Sequence, residues 1–199
     1  MITSILIRFL DIILSLMALL ILAPLILLVL FIVYFEDKKN PIFKQLRVKK
    51  RGELFTLYKI RSMRTNNGYH YTQKDDERIT KIGRIIRHYK FDEVLQLVNV
   101  VIGDMSIVGP RPDIQRNIDL LQKDDKDVIL SVKPGLSDYA SLKYFHEEML
   151  DKDEKMEEQI LQHKVLLSKN GVAGFNLYSY FHVILLTLIA IVRAIVVSN

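Results

Sequence analysis

The sequence predicts an α+β protein, mainly helical, with a small globular body attached to a bilayer. Three observations predict it. Of the 199 residues, 50% are hydrophobic and 26% are charged, too apolar for an ordinary soluble domain and too charged for a polytopic membrane protein. The apolar residues gather in two runs, Ile12 to Phe35 and Leu177 to Val197, each long enough to span a membrane as a helix. Between the runs, short apolar stretches alternate with charged ones, as in a compact body of short elements.

In the first run the only polar groups are Ser15 and the Tyr34 hydroxyl. No small-residue cleavage site follows, which argues against a removable signal peptide. Lys38, Lys39, Lys44, Arg47, Lys49, Lys50 and Arg51 come after it and only Arg8 before it, so the downstream part is expected in the cytoplasm. Pro24 sits mid-run. It lacks an N–H and clashes with the carbonyl four residues back, so a kink is expected there. A kinked segment could enter and leave on one face. A bent spanning helix is the other reading, and length favours it. Arg8 and Asp11 are three residues apart and are expected to pair on one helical face near the interface.

In the body, Leu54-Phe-Thr-Leu-Tyr58 reads as a short strand after Arg51-Gly52. Thr65-Asn-Asn-Gly68 is turn chemistry, and Tyr69 to Glu77 reads as a polar loop. Ile79 to Tyr89 predicts an amphipathic helix, with Ile82, Ile85, Ile86 and Tyr89 on one face. Its other side carries Lys81, Arg84, Arg87, His88 and Lys90, which suits a solvated face or anionic lipid headgroups. Lys59, Arg61 and Arg64 follow the strand and by themselves are ordinary surface charges.

The most informative stretch runs from Lys90 to Asp113. Val94 to Ile102 has helix length, Asp92 stands at its start, and Gly103 stands where a left-handed cap favours glycine. Asp92 and Glu93 are therefore expected at a helix N-terminus, where capping alone would account for them. Arg87 lies five residues before Asp92, and Arg111 lies between Pro110 and Pro112. A nucleophilic carboxylate, a second acid and flanking arginines suit attack on a phosphate.

Other chemistries are excluded by what the chain lacks. It has no cysteine, and its five histidines show no zinc-binding spacing. No Gly-rich phosphate loop of Walker or dinucleotide type occurs, which argues against a doubly wound sheet. Asp151-Lys-Asp153 is a D-x-D string, but it lies in an acidic, helix-compatible run and reads as solvated. The net charge of +5 favours an anionic partner, and nothing points to nucleic acid.

Taken together the motifs resemble the bacterial sugar transferase family, the monotopic polyprenyl-phosphate phosphoglycosyl transferases. The resemblance rests on Arg8-Phe-Leu-Asp11, Pro24, Pro41-Ile-Phe-Lys-Gln-Leu-Arg-Val48 and Leu57-Tyr-Lys-Ile-Arg-Ser-Met-Arg64. It continues in Asp75-Asp-Glu-Arg-Ile-Thr-Lys-Ile-Gly-Arg84, the Asp92-Glu93 block and Val132-Lys-Pro-Gly-Leu-Ser-Asp-Tyr-Ala-Ser141. It implies a re-entrant helix–break–helix over 1–36, a cytoplasmic catalytic domain over 37–175 and a membrane-associated apolar helix over 176–199. Arg8, Asp11 and Pro24 would belong to the membrane-inserting part.

The implied reaction moves a sugar 1-phosphate from a UDP-sugar to polyprenyl phosphate and releases UMP, at the cytoplasmic face of a bacterial inner membrane. Asp92 would be the nucleophile. Asp92 and Glu93 would hold Mg²⁺, and Glu93 would assist with the metal or with protons. Lys59, Arg61 and Arg87 would bind phosphate, and Pro110-Arg111-Pro112 would meet the nucleotide. The implied partners are the UDP-sugar, polyprenyl phosphate and a phospholipid membrane, and a homodimer is compatible with them. Ile7, Ala23, Leu95 and His182 depart from residues common in the family. They support one alternative, a catalytically silent membrane scaffold; a membrane-bound nucleotide-sugar hydrolase, with water in place of the lipid phosphate, is a second.

Overall fold

The computed structural model describes residues 2–64, 76–145 and 154–196, and it is mainly helical with two small sheets. Helix α1 (Ile2–Asp37) is followed by an antiparallel hairpin of β1 (Ile42–Val48) and β2 (Leu54–Ile60), in which Phe43 opposes Lys59. The predicted strand is thus found and runs two residues further, to Ile60. Helix α2 (Lys81–His88) occupies the predicted amphipathic stretch, capped by Thr80, whose hydroxyl accepts from Gly83 N at 2.9 Å. Helix α3 (Gln96–Ile102) ends at Gly103, whose φ of 105° is the left-handed cap the sequence predicts.

Strand β3 (Ser106–Val108), α4 (Gln115–Asp119), α5 (Lys123–Ile129) and β4 (Gly135–Ser137) come next. β3 and β4 pair in parallel. Helices α6 (Tyr139–Lys143), α7 (Glu154–Ala173) and α8 (Leu177–Val196) complete the chain. The D-x-D string and the Thr65–Gly68 turn lie outside the described residues, as does most of the polar loop.

The inward residues of α1 recur every three or four positions. Ile7, Asp11, Ser15, Ile26 and Val33 are buried, and Leu19, Leu22 and Leu30 are partly buried between them. Ile26 and Val33 pack with Ile60 of β2, Ile86 of α2 and Val94, Leu95 and Leu97. Ile7 packs with Val108, Tyr180 and Val183, so α8 lies against the other end of the same seam. A third cluster joins Phe55 and Leu57 to Val100 and Met105, the last two fully buried. Each such side chain contributes roughly 1.5–3 kcal/mol by leaving water. The outer side of α1 is exposed, Leu20 to 78% and Ile21 to 70%. α1 and α8 are both long and apolar enough to cross a bilayer.

α1 keeps helical backbone on both sides of Pro24. One expectation is corrected here. Arg8 and Asp11 do not pair with each other. Arg8 donates to the carbonyls of Val100 (2.6 Å) and Val101 (2.9 Å) at the C-terminus of α3. Asp11 accepts from Ser106 Oγ (2.8 Å), Ile107 N (2.9 Å) and Tyr180 Oη (2.9 Å). Buried polar groups take the partners the packing supplies, and here those lie in α3, β3 and α8.

Candidate active site

Asp92 and Glu93 do not begin α3. They lie in a separate 3-10 turn, Phe91–Glu93, entered through Lys90 in the left-handed region (φ 54°), and α3 starts only at Gln96. Neither carboxylate caps the helix, so the capping explanation does not account for them. The turn sets both inside the protein, Asp92 5% and Glu93 9% exposed. Buried carboxylates need compensation, and Glu93 receives it from two directions. Lys59 Nζ lies 3.1 Å from Glu93 Oε1, and Arg111 donates from Nη1 to Oε2 (2.9 Å) and from Nη2 to Oε1. Burial pushes the Glu93 pKa up, but Arg111 and Lys59 outweigh it and hold the carboxyl well below its ordinary value. Glu93 in turn raises the Arg111 pKa against burial, and Asp92 adds to the effect.

Lys59 arrives through β2. The buried Asn99 of α3 binds that strand, accepting from Tyr58 N at 3.1 Å and donating to the Thr56 carbonyl at 2.7 Å. Arg111 arrives through the loop after β3. Gly109 N donates to the Ser137 carbonyl (3.0 Å), and Gly135 N donates to the Pro110 carbonyl (2.8 Å). The two glycine backbones touch so closely that a Cβ on either would collide with the other strand. Pro110 and Pro112 are buried, and Arg111 between them keeps 42% of its side chain accessible. Arg47 steadies the loop from β1, reaching Asp113 at 3.0 Å and the Pro112 carbonyl at 3.4 Å.

The structure therefore brings together Asp92, Glu93, Lys59 and Arg111. Arg61 follows β2, and its Nη1 is buried with no hydrogen-bond partner among the described residues. Arg87 contacts Met63 Sδ at 3.4 Å and is not one of the cations on Glu93. Asn99, Gly109 and Gly135 position the site, and sequence reasoning gave none of them a role. Asn99 could have been noticed as one of two polar residues, with Gln96, in the apolar run Val94 to Ile102. His182, one of the family departures, lies 3.2 Å from the Tyr139 hydroxyl and stacks on Tyr178.

Among the described residues, no group of three or more His, Cys, Asp or Glu is arranged to hold a metal. The two adjacent carboxylates fit Mg²⁺ of the substrate-bound kind, which takes one or two carboxylates and completes its shell with phosphate oxygens and water.

The profile of the bacterial sugar transferase family matches residues 2–194. The chain belongs to that family. An exopolysaccharide production protein, PSS, of Rhizobium leguminosarum bv. phaseoli is 45% identical over 108 residues, 52% of this chain and 54% of that protein. A UDP-N-acetylgalactosamine-undecaprenyl-phosphate N-acetylgalactosaminephosphotransferase of Aeromonas hydrophila is 34% identical over 140 residues, 68% of this chain and 33% of its own. An undecaprenyl-phosphate glucose phosphotransferase of Komagataeibacter xylinus is 30% identical over 190 residues, covering 91% of this chain and 35% of the relative. The chain thus spans between a third and about half of the length of those relatives. The relatives' names carry different sugars.

Proposed function

We propose that this chain transfers a sugar 1-phosphate from a UDP-sugar to polyprenyl phosphate, the first membrane step of surface glycan synthesis. The observation that carries the reading is the buried Asp92-Glu93 turn with Lys59 and Arg111 converging on it, in a member of the bacterial sugar transferase family. In the first step an Asp92 carboxylate oxygen attacks the β-phosphorus of the UDP-sugar. The new bond is O–P, and the phosphoanhydride bond to the α-phosphate breaks with its electron pair leaving on UMP. In the second step a polyprenyl phosphate oxygen attacks the same phosphorus and the aspartyl O–P bond breaks, restoring the carboxylate. Splitting the transfer this way keeps the two anionic substrates from having to meet directly.

Arg111 and Lys59 would turn from Glu93 toward the incoming phosphates, for which charge-assisted donors are suited. Arg61, with a buried unpaired nitrogen, would join them. Mg²⁺ held by Asp92, with Glu93 beside it, would offset the diphosphate charge.

The re-entrant reading of α1 belongs to the same proposal. Arg8 and Asp11 tie one end of the helix to α3 and β3, while at the other end Glu36 accepts from Ile82 N (3.3 Å) and Asp37 pairs with Arg64 (3.4 Å). Both ends are thus bound to one body, which we place at the cytoplasmic face of the inner membrane.

The test is UMP release from a panel of UDP-sugars, with and without polyprenyl phosphate. Sustained release only with the lipid is the expected result. Release regardless of lipid would make the protein a hydrolase, and none with any sugar would leave a scaffold.

A further inference from the structure

A cluster of cations lies away from the carboxylates. A cleft of about 290 Å³ opens between the β1–β2 turn and the C-terminus of α3, lined by Lys49, Lys50, Arg51, Glu53, Asp104 and Lys133 around Gly103. Its charges do not balance. Lys49 takes up both acids, at 2.7 Å from Asp104 and 3.6 Å from Glu53. Lys50, Arg51 and Lys133 have no side-chain ion pair or hydrogen bond among the described residues. Three cations are therefore left facing one concavity. At its floor, a Cβ on Gly103 would lie 3.2 Å from Arg8 Nη2 and 3.7 Å from Lys133 Nζ, so a fourth cation reaches the same point from α1. Burial, and then Arg8, lower the Lys133 pKa.

The position of the cleft indicates the source of the anion. Arg8 is flanked on α1 by Ile5 (64% exposed) and Phe9 (58%), and Ile102, beside Gly103, is 61% exposed. Uncovered apolar side chains next to unbalanced cations are what the boundary between acyl chains and headgroups requires. Arg51 lines the cleft from the tight turn at 50–52, where it holds the left-handed region (φ 65°).

We propose that this cleft binds the phosphate of an anionic phospholipid headgroup, holding the body against the membrane where α1 enters it. The site is separate from the sugar-phosphate chemistry and does not depend on it.

The test uses the full chain in a neutral detergent and follows the melting temperature. The probes are short-chain phosphatidylglycerol, short-chain phosphatidylcholine and inorganic phosphate. Phosphatidylglycerol should raise the melting temperature of the wild type, and the other two should not. The double variant Lys50→Gln, Arg51→Asn removes two exposed cations and keeps a residue that tolerates positive φ at 51. It should melt with the wild type when no lipid is present. Its half-effect concentration of phosphatidylglycerol should rise on the order of tenfold or more, each cation near an anionic lipid surface being worth roughly a factor of five. Arg116→Gln, Lys123→Gln, on the exposed faces of α4 and α5, removes equal charge elsewhere and should respond as the wild type does. An unchanged response in the cleft variant, or equal weakening in both variants, would overturn the site. A shift produced equally by inorganic phosphate would overturn the lipid assignment and leave a free-anion site.

Discussion

The Tyr180 hydroxyl donates to Asp11 Oδ1 at 2.9 Å and so joins the last helix to the first across 169 positions of sequence. Asp11 also holds Ser106 and Ile107 of β3, the strand that leads to Arg111. Tyr180→Phe keeps the ring against Ile7 and Val183 and removes one donor to a buried carboxylate. A hydrogen bond to a charged group is worth about 1.5–3 kcal/mol, so a clear fall in melting temperature is expected by differential scanning fluorimetry. An unchanged melting temperature would show that Tyr180 does not clamp the helices.

Asp92→Asn preserves shape and abolishes the nucleophile. Turnover should fall on the order of 10³-fold or more. Intact-mass spectrometry of the wild type with UDP-sugar alone should reveal a phosphosugar adduct that the variant lacks. Activity within about tenfold of the wild type would remove Asp92 from the covalent role.

Arg111→Ala leaves Glu93 its contact with Lys59, and the glycine contacts that pin the loop stay intact. Nucleotide-sugar binding should weaken by about 1.5–3 kcal/mol, measured by calorimetry, while circular dichroism stays unchanged. Normal binding would make Arg111 a purely structural partner of Glu93.

Glu93 predicts a pH dependence of stability. Its folded pKa lies below the ordinary 4.5, so the unfolded state takes up the proton first as pH falls. The stabilisation is complete above about pH 4.5 and is lost as pH drops toward the folded value. Glu93→Gln should therefore melt below the wild type at neutral pH, and the gap should narrow on acidification below 4.5. A gap that widened on acidification would reverse the assigned sign.

Topology can be read in this cysteine-free chain by placing single cysteines at Thr3 and Lys39 and treating intact cells with an impermeant thiol reagent. Protection of both until the cells are opened is expected. Labelling at Thr3 alone would establish a spanning helix. Pro24→Ala restores a continuous hydrogen-bond ladder over a length that can span, so Thr3 should become labelled. If Thr3 stays protected, the anchoring of Arg8 and Asp11 to the body decides the topology rather than the proline.

Elements whose signal is local are legible in the chain of residues. The apolar runs became α1 and α8, a short run after Arg51-Gly52 marked β2, helical periodicity marked α2, and Gly103 marked the end of α3. The residues also singled out Asp92, Glu93 and Arg111, because charged residues beside an apolar run or between prolines are chemically conspicuous, while Lys59 was marked only by the family resemblance. Only the tertiary structure decided how they meet. Lys59 reaches Glu93 because Asn99 binds the β2 backbone, and Arg111 reaches it because Gly109 and Gly135 let two strands touch. Arg8 and Asp11, neighbours on one helix face, separate because α3 offers free carbonyls to one and β3 and Tyr180 offer donors to the other. These are hydrogen bonds between residues far apart in the chain. They leave no period or spacing in the sequence, and they form only where folding removes the water that would otherwise satisfy the same groups.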